Sequence, residues 1–186
     1  MLYAEHTTKG NQMETEKLAY IAGIVDGEGS IMIMRQASKS FMEQRAKRGS
    51  TNPHYHPCVR VGMNVRAALD FIVSVTGLGK VYQEKAYGNK KPMFRWVIRS
   101  RDEVLQFLKL VKPFLLVKQR QAELAIQFMH EWVSSNGVRL TPETQANREN
   151  AWLDMRKLNG VISVPATTKP NGKRGRDFSA PFEAIV

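Results

Sequence analysis

The stretch from Leu18 to Ser30, LAYIAGIVDGEGS, constrains this chain more than any other. It runs directly into Ile31-Met32-Ile33-Met34-Arg35-Gln36, whose β-branched residues and length predict a strand. Upstream, Glu14, Thr15 and Glu16 supply acid where a helix N-terminus favours it. Ala19, Gly23 and Gly27 then recur four apart and fall on one helical face. Each glycine in a helix costs up to about 1 kcal/mol relative to alanine. A face made of them makes sense where another backbone approaches closely, as in small-xxx-small helix pairs. Asp26 and Glu28 stand at the C-terminal end, where the helix dipole is already negative. Acids are misplaced there unless a cation gathers them. The plainer reading is a helix closed by the cap glycines Gly27 and Gly29, with both acids solvated.

Charge bears on that choice. The 186 residues, enough for one domain with a real core, carry 28 Lys and Arg against 17 Asp and Glu, a net +11. So basic a chain calls for a polyanion, nucleic acid or an anionic membrane surface. No apolar run approaches the ~20 residues that span a bilayer, and the N-terminus lacks a signal peptide's apolar core. Nucleic acid is therefore the expected partner, and no membrane. The one cysteine, Cys58, excludes an internal disulfide and suits a reducing, intracellular compartment. No helical-repeat period or low-complexity tract is present.

Residues 1–13 read as a flexible N-terminus, 14–159 as the folded domain and 160–186 as a flexible basic tail. Residues 37–53 are polar and basic and read as a loop closed by Asn52-Pro53. In the next strand Tyr55, Val59, Val61 and Met63 alternate with His54, His56, Cys58 and Arg60, so one side is buried and the other wet. Asn64 to Thr76 reads as a helix with Ala67, Leu69, Ile72 and Val73 inward, ended by Gly77. Gly79–Lys85 and Met93–Arg99 read as a second strand pair about a turn at 88–92. Ser100 to Glu103 forms a capping box opening a helix that Pro113 ends. Lys118–Trp132 and a helix capped by Thr141-Pro142-Glu143 follow, the latter running to about Leu158. The order α-β-β-α-β-β-α, with further C-terminal helices, defines an α+β domain.

Ile21 to Gly29, IAGIVDGEG, resembles the LAGLIDADG motif, with Ile for Leu, Val for Ile, Gly for the second Ala and Glu for the last Asp. The resemblance extends over roughly residues 14–134, and the LAGLIDADG homing endonuclease family has the same αββαββα core. It implies a homodimer built from single-motif chains, their motif helices packed through Ala19, Ala22, Gly23, Asp26 and Gly27. It implies cleavage of a long pseudo-palindromic site in double-stranded DNA with Mg²⁺, for which Mn²⁺ substitutes, while Ca²⁺ binds without supporting cleavage. Carried over by residue, Glu28 is the metal ligand, the Gly27 carbonyl assists, and Asp26 is a structural acid. The segment Pro113 to Gln121, PFLLVKQRQ, resembles the one bearing the family's catalytic-site lysine, which falls on Lys118. Asn64 and Arg66 are the nearest fits to a water-ordering polar residue and a basic one. The alternatives are an intron-RNA maturase or an inactive DNA-binding protein of the same fold. The expected setting is a prokaryotic or phage cytoplasm, or an organelle.

In such a protein the wet strand face becomes a saddle for the DNA major groove, side chains reading base edges while loop cations meet phosphates. By parity that face holds Met32, Met34, Gln36, His54, His56, Arg60, Tyr82, Glu84, Arg95, Val97 and Arg99. His54, His56 and Cys58 share a strand face and invite zinc, but zinc sites take four ligands at recognised spacings and no fourth is evident. Trp96, Trp132 and Trp152 occupy periodic apolar positions and read as core.

Overall fold

The computed structural model describes residues 3–36, 39–47, 52–84, 92–131 and 140–160. The motif helix α1 (Tyr3–Glu28) passes without a turn into β1 (Gly29–Gln36). Gly29 makes that junction possible: a Cβ there would lie 2.5 Å from the Val25 carbonyl oxygen. Neither Gly27 nor Gly29 is a left-handed cap, since positive φ is confined among the described residues to Gly77, Gly79 and Gly160. The helix also starts at Tyr3, well before the acids at 14–16. Its first turns are polar and lack the apolar period that sequence reading depends on.

After β1 come α2 (Lys39–Ala46), β2 (His54–Met63), α3 (Arg66–Thr76), β3 (Lys80–Gln83) and β4 (Phe94–Ile98). Then follow α4 (Arg101–Val111), a 3₁₀ turn (Lys112–Phe114), α5 (Gln119–His130) and α6 (Pro142–Leu158). The four strands form one antiparallel sheet in the order β1-β2-β4-β3. The odd positions of β1 and β2 (Ile31, Ile33, Tyr55, Val59, Val61) are buried under α1, α4, α5 and α6. From α1 the stripe Ile21, Ala22 and Val25 joins this core. Trp96, fully buried, donates its indole N–H to the Leu78 carbonyl at 3.0 Å, so its polar atom is satisfied. Gly79 lets the chain pass this ring: it has φ 75°, and a Cβ would meet Trp96 and Ile98 at 2.6 Å.

Three local expectations change. Residues 39–46 are helical where a loop was expected; Phe41 and Met42 are partly buried, and the Phe41 ring lies against His54. Ser100 is the N-cap of α4, yet its side chain makes no capping hydrogen bond. Trp152 is only half-buried, and its ring receives the guanidinium groups of Arg35 (5.3 Å) and Arg156 (5.0 Å). At α6 the expectation holds: Thr141 accepts the Thr144 N–H at 3.2 Å and Pro142 occupies the first turn. Residues 88–91 of the expected turn, Trp132 and the tail at 161–186 lie outside the described residues.

Candidate active site and nucleic-acid interface

The end of α1 gathers the chemistry. Asp26 turns inward, and its carboxylate accepts the backbone N–H groups of Leu116 (2.7 Å), Val117 (3.1 Å) and Lys118 (2.9 Å). Burial pushes the Asp26 pKa up, but the three N–H bonds and the Lys118 ammonium outweigh it and hold it below the usual carboxylate value. This carboxylate therefore caps the approach to α5 from 90 residues away in sequence. Lys118, the N-cap residue of α5, donates its ammonium to the Asp26 carbonyl, one of the free carbonyls of the α1 terminus. A cation there also meets the negative end of the helix dipole. Two residues on, Glu28 is exposed and, among the described residues, makes no hydrogen bond or ion pair. The neighbouring acids thus have different tasks: one holds the 115–118 segment in place and the other is free for a ligand.

Asn64 is exposed just past β2. Because Gly29 pairs with Val61, the chain beyond Met63 runs past the sheet end from which Glu28 emerges. Arg66 forms an exposed ion pair with Asp70 at 3.1 Å and lies over the Phe94 ring. No group of three His, Cys, Asp or Glu among the described residues could hold a metal ion by itself.

The small face of α1 is open. Ala19, Gly23 and Gly27 are exposed, and a Cβ on either glycine would meet nothing within 4 Å. Ala22, expected beside them, is 0 % exposed and belongs to this chain's own core, because it follows the Leu18, Ile21 and Val25 stripe. Asp26, also expected in a dimer face, is committed to its own chain. Sequence reading missed Leu116 and Val117, which stand 89 % and 71 % exposed on the segment that Asp26 clamps. Two adjacent exposed apolar residues inside PFLLVKQRQ were the available signal.

The expected base-reading residues share one sheet face. Register places Met32 opposite Cys58, Met34 opposite His56 and Gln36 opposite His54. Arg60 and Lys80 flank Val97, while Gly62 and Tyr82 flank Arg95. Arg95 is ion-paired with Glu84, and the Glu84 N–H extends the β3–β4 ladder to Met93 at 2.8 Å. Arg99 borders a concavity of about 260 Å³ with His56, Cys58, Arg60, Arg95 and Val97. Burial, then the Arg99 charge, holds the His56 pKa below its usual value, and its buried Nδ1 has no hydrogen-bond partner among the described residues. Burial raises the Cys58 thiol despite Arg99. Val97, expected on this face, is only 9 % exposed, and Cys58, of the same parity, only 3 %, so neighbouring side chains cover both. Lys80 was missed, although it shares the parity of Tyr82. Along β1, α6 adds a cleft of about 570 Å³ that takes in residues of both parities and includes Arg35, Arg60, Lys118 and Arg156. Asn159 anchors that helix by donating to the Ile31 carbonyl at 3.0 Å.

A scan of protein-family models gave no match, and neither did a search of curated proteins. Solved structures do match. The homing endonuclease I-CvuI, in complex with its target, superposes with a TM-score of 0.61 at 18 % identity, over 78 % of this chain and 83 % of that one. The archaeal intron-encoded homing endonuclease I-Vdi141I, complexed with DNA, gives 0.59 at 18 % identity, over 87 % and 89 %. The LAGLIDADG homing endonuclease I-GzeII, in complex with its DNA target, gives 0.55 at 15 % identity, over 89 % and 54 %. The chain has the fold of the LAGLIDADG homing endonucleases. No helix among the described residues is long and apolar enough to cross a membrane.

Proposed function

We propose that this protein is a site-specific double-stranded DNA endonuclease, acting as a homodimer with Mg²⁺ on a long pseudo-palindromic site. The observation that carries this reading is the α1 terminus. There Glu28 stands exposed beside an open small-residue face, with the Lys118 ammonium on the same helix end. The polar sheet face begins at the next strand. Solved proteins of the same fold are described in complex with DNA, one of them in the presence of calcium or magnesium, which supports duplex DNA and a divalent ion as ligands.

The donor set suits magnesium. Glu28 and the Gly27 carbonyl are hard oxygen donors, and Mg²⁺ is usually held by one or two carboxylates together with substrate phosphates. When bound, such an ion supplies charge stabilisation at a scissile phosphate and a more acidic water. Each chain offers one such carboxylate, which supports one strand cut per protomer. In this reading Lys118 offsets negative charge building on the phosphate. Asn64 orders the attacking water in this reading. Arg66 joins by leaving Asp70, an exposed pair worth only about 0–1 kcal/mol. Ala19, Gly23 and Gly27 pack against the partner's motif helix, and exposed Leu116 and Val117 support an apolar border to that interface.

The test uses duplexes selected for binding in Ca²⁺, then transferred to Mg²⁺. Wild type should cut both strands. Glu28→Gln should bind in Ca²⁺ and melt as wild type does, yet leave the DNA intact. Equal cleavage by both removes Glu28 from the mechanism. No cleavage by either, with tight binding of intron RNA, replaces the nuclease reading with a maturase.

A further inference from the structure

The wet sheet face is divided in character. On one side Lys80, Arg60, Arg95 and Arg99 surround Val97, with two acids beside them: Glu84, paired with Arg95, and Glu103, which borders the concavity of Lys80, Val97 and Arg99. On the other, the pairs Met32–Cys58, Met34–His56 and Gln36–His54 contain no lysine or arginine, and Arg35, of the opposite parity, borders them. Arginine and lysine are donors only. In the major groove guanine presents two acceptors, whereas adenine presents one acceptor and one donor; thymine adds a methyl group that takes apolar contacts.

Lys80, Arg60 and Arg95 lie on the strands of the face that the proposed function lays against the groove, where side chains can reach base edges. Arg95 is constrained, because Glu84 pairs with its guanidinium on the face. Beside it Gly62 leaves space: a Cβ there would meet nothing within 4 Å. Glycine in a strand marks a place where a ligand can come close.

We infer that the Lys80–Arg60–Arg95–Arg99 side selects guanine-rich base pairs, with Arg95 as a principal specificity residue positioned by Glu84. The Met32–Met34 side selects thymine. This rests on the duplex-DNA reading above and adds which bases the face prefers.

The experiment selects duplexes from a randomised library with the full-length protein in Ca²⁺, then measures affinities for single-position variants of the selected site. Guanine should be enriched at several positions. Glutamine pairs with adenine as arginine pairs with guanine, so Arg95→Gln should switch one position from guanine to adenine, changing their affinity ratio by roughly tenfold or more. Glu84→Gln should weaken guanine preference at that same position alone. Met34→Ala should relax a thymine at a different position. Even affinity loss across all sequences in Arg95→Gln would make Arg95 a phosphate contact and overturn the assignment, as would selected sites without guanine enrichment. Absence of binding to any duplex would overturn it together with the reading beneath it.

Discussion

Replacing Asp26 by alanine should cost stability as well as activity, unlike any change at Glu28. The carboxylate accepts three backbone N–H groups at 2.7–3.1 Å. A hydrogen bond to a charged group contributes about 1.5–3 kcal/mol, but Leu116 and Val117 are exposed and water can replace part of it. Losing a helix N-cap costs about 0.5–2 kcal/mol. A net loss of about 2–3 kcal/mol follows, the worth of about one full charge-assisted bond. For a chain of this size that lowers Tm by roughly 5–10 °C. The assay is urea and thermal unfolding at one fixed protomer concentration, because a dimer's Tm depends on concentration. Acidity gives a second check. The folded-state pKa of Asp26 is lowered, so its stabilisation is present above the ordinary carboxylate value and disappears as pH falls through the folded value. Asp26→Ala should therefore lose stability at neutral pH and show a shallower acid limb. Cleavage should fall too, since the 115–118 segment that presents Lys118 loses its anchor. Wild-type stability in Asp26→Ala would refute the clamp.

Two further outcomes concern assembly and binding. Gly23→Leu should abolish both dimer and cleavage, whereas Gly23→Ala, with open space at its Cβ, should gain up to about 1 kcal/mol of helix propensity while weakening association; sedimentation across a concentration series reads both. Affinity for duplex DNA should fall steeply with salt, the logarithmic slope being about 0.9 per phosphate contact, and a flat response would deny the +11 charge its role.

The parts of the fold legible in the sequence were those with a strong period. In β2 the inward residues Tyr55, Val59 and Val61 follow from parity, as do Trp96 and Ile98 in β4, although Cys58 and Val97 on the other parity are covered too. The α2 segment escaped because KSFMEQRA has too little amphipathic pattern to declare a helix. Ala22 misled because small residues look alike in sequence, and only the packing of Ile21 and Val25 shows which face it takes. Asp26 and Glu28 illustrate the limit for the candidate site. Both are acids at a helix end, and what separates them is a backbone segment some 90 residues away that one of them grips. Val97 shows the same limit on the sheet, since parity gives its side but not the covering of its neighbours.

The central claim is that each chain brings one reactive carboxylate, Glu28, to one strand of the DNA. Mixed dimers test it most directly: wild type and Glu28→Gln are co-expressed with different affinity tags and purified through both. Given supercoiled plasmid carrying a selected site and Mg²⁺, the mixed dimer should yield nicked circles and no linear product, while the wild-type dimer yields linear DNA. Linear product from the mixed dimer at the wild-type rate would contradict the claim.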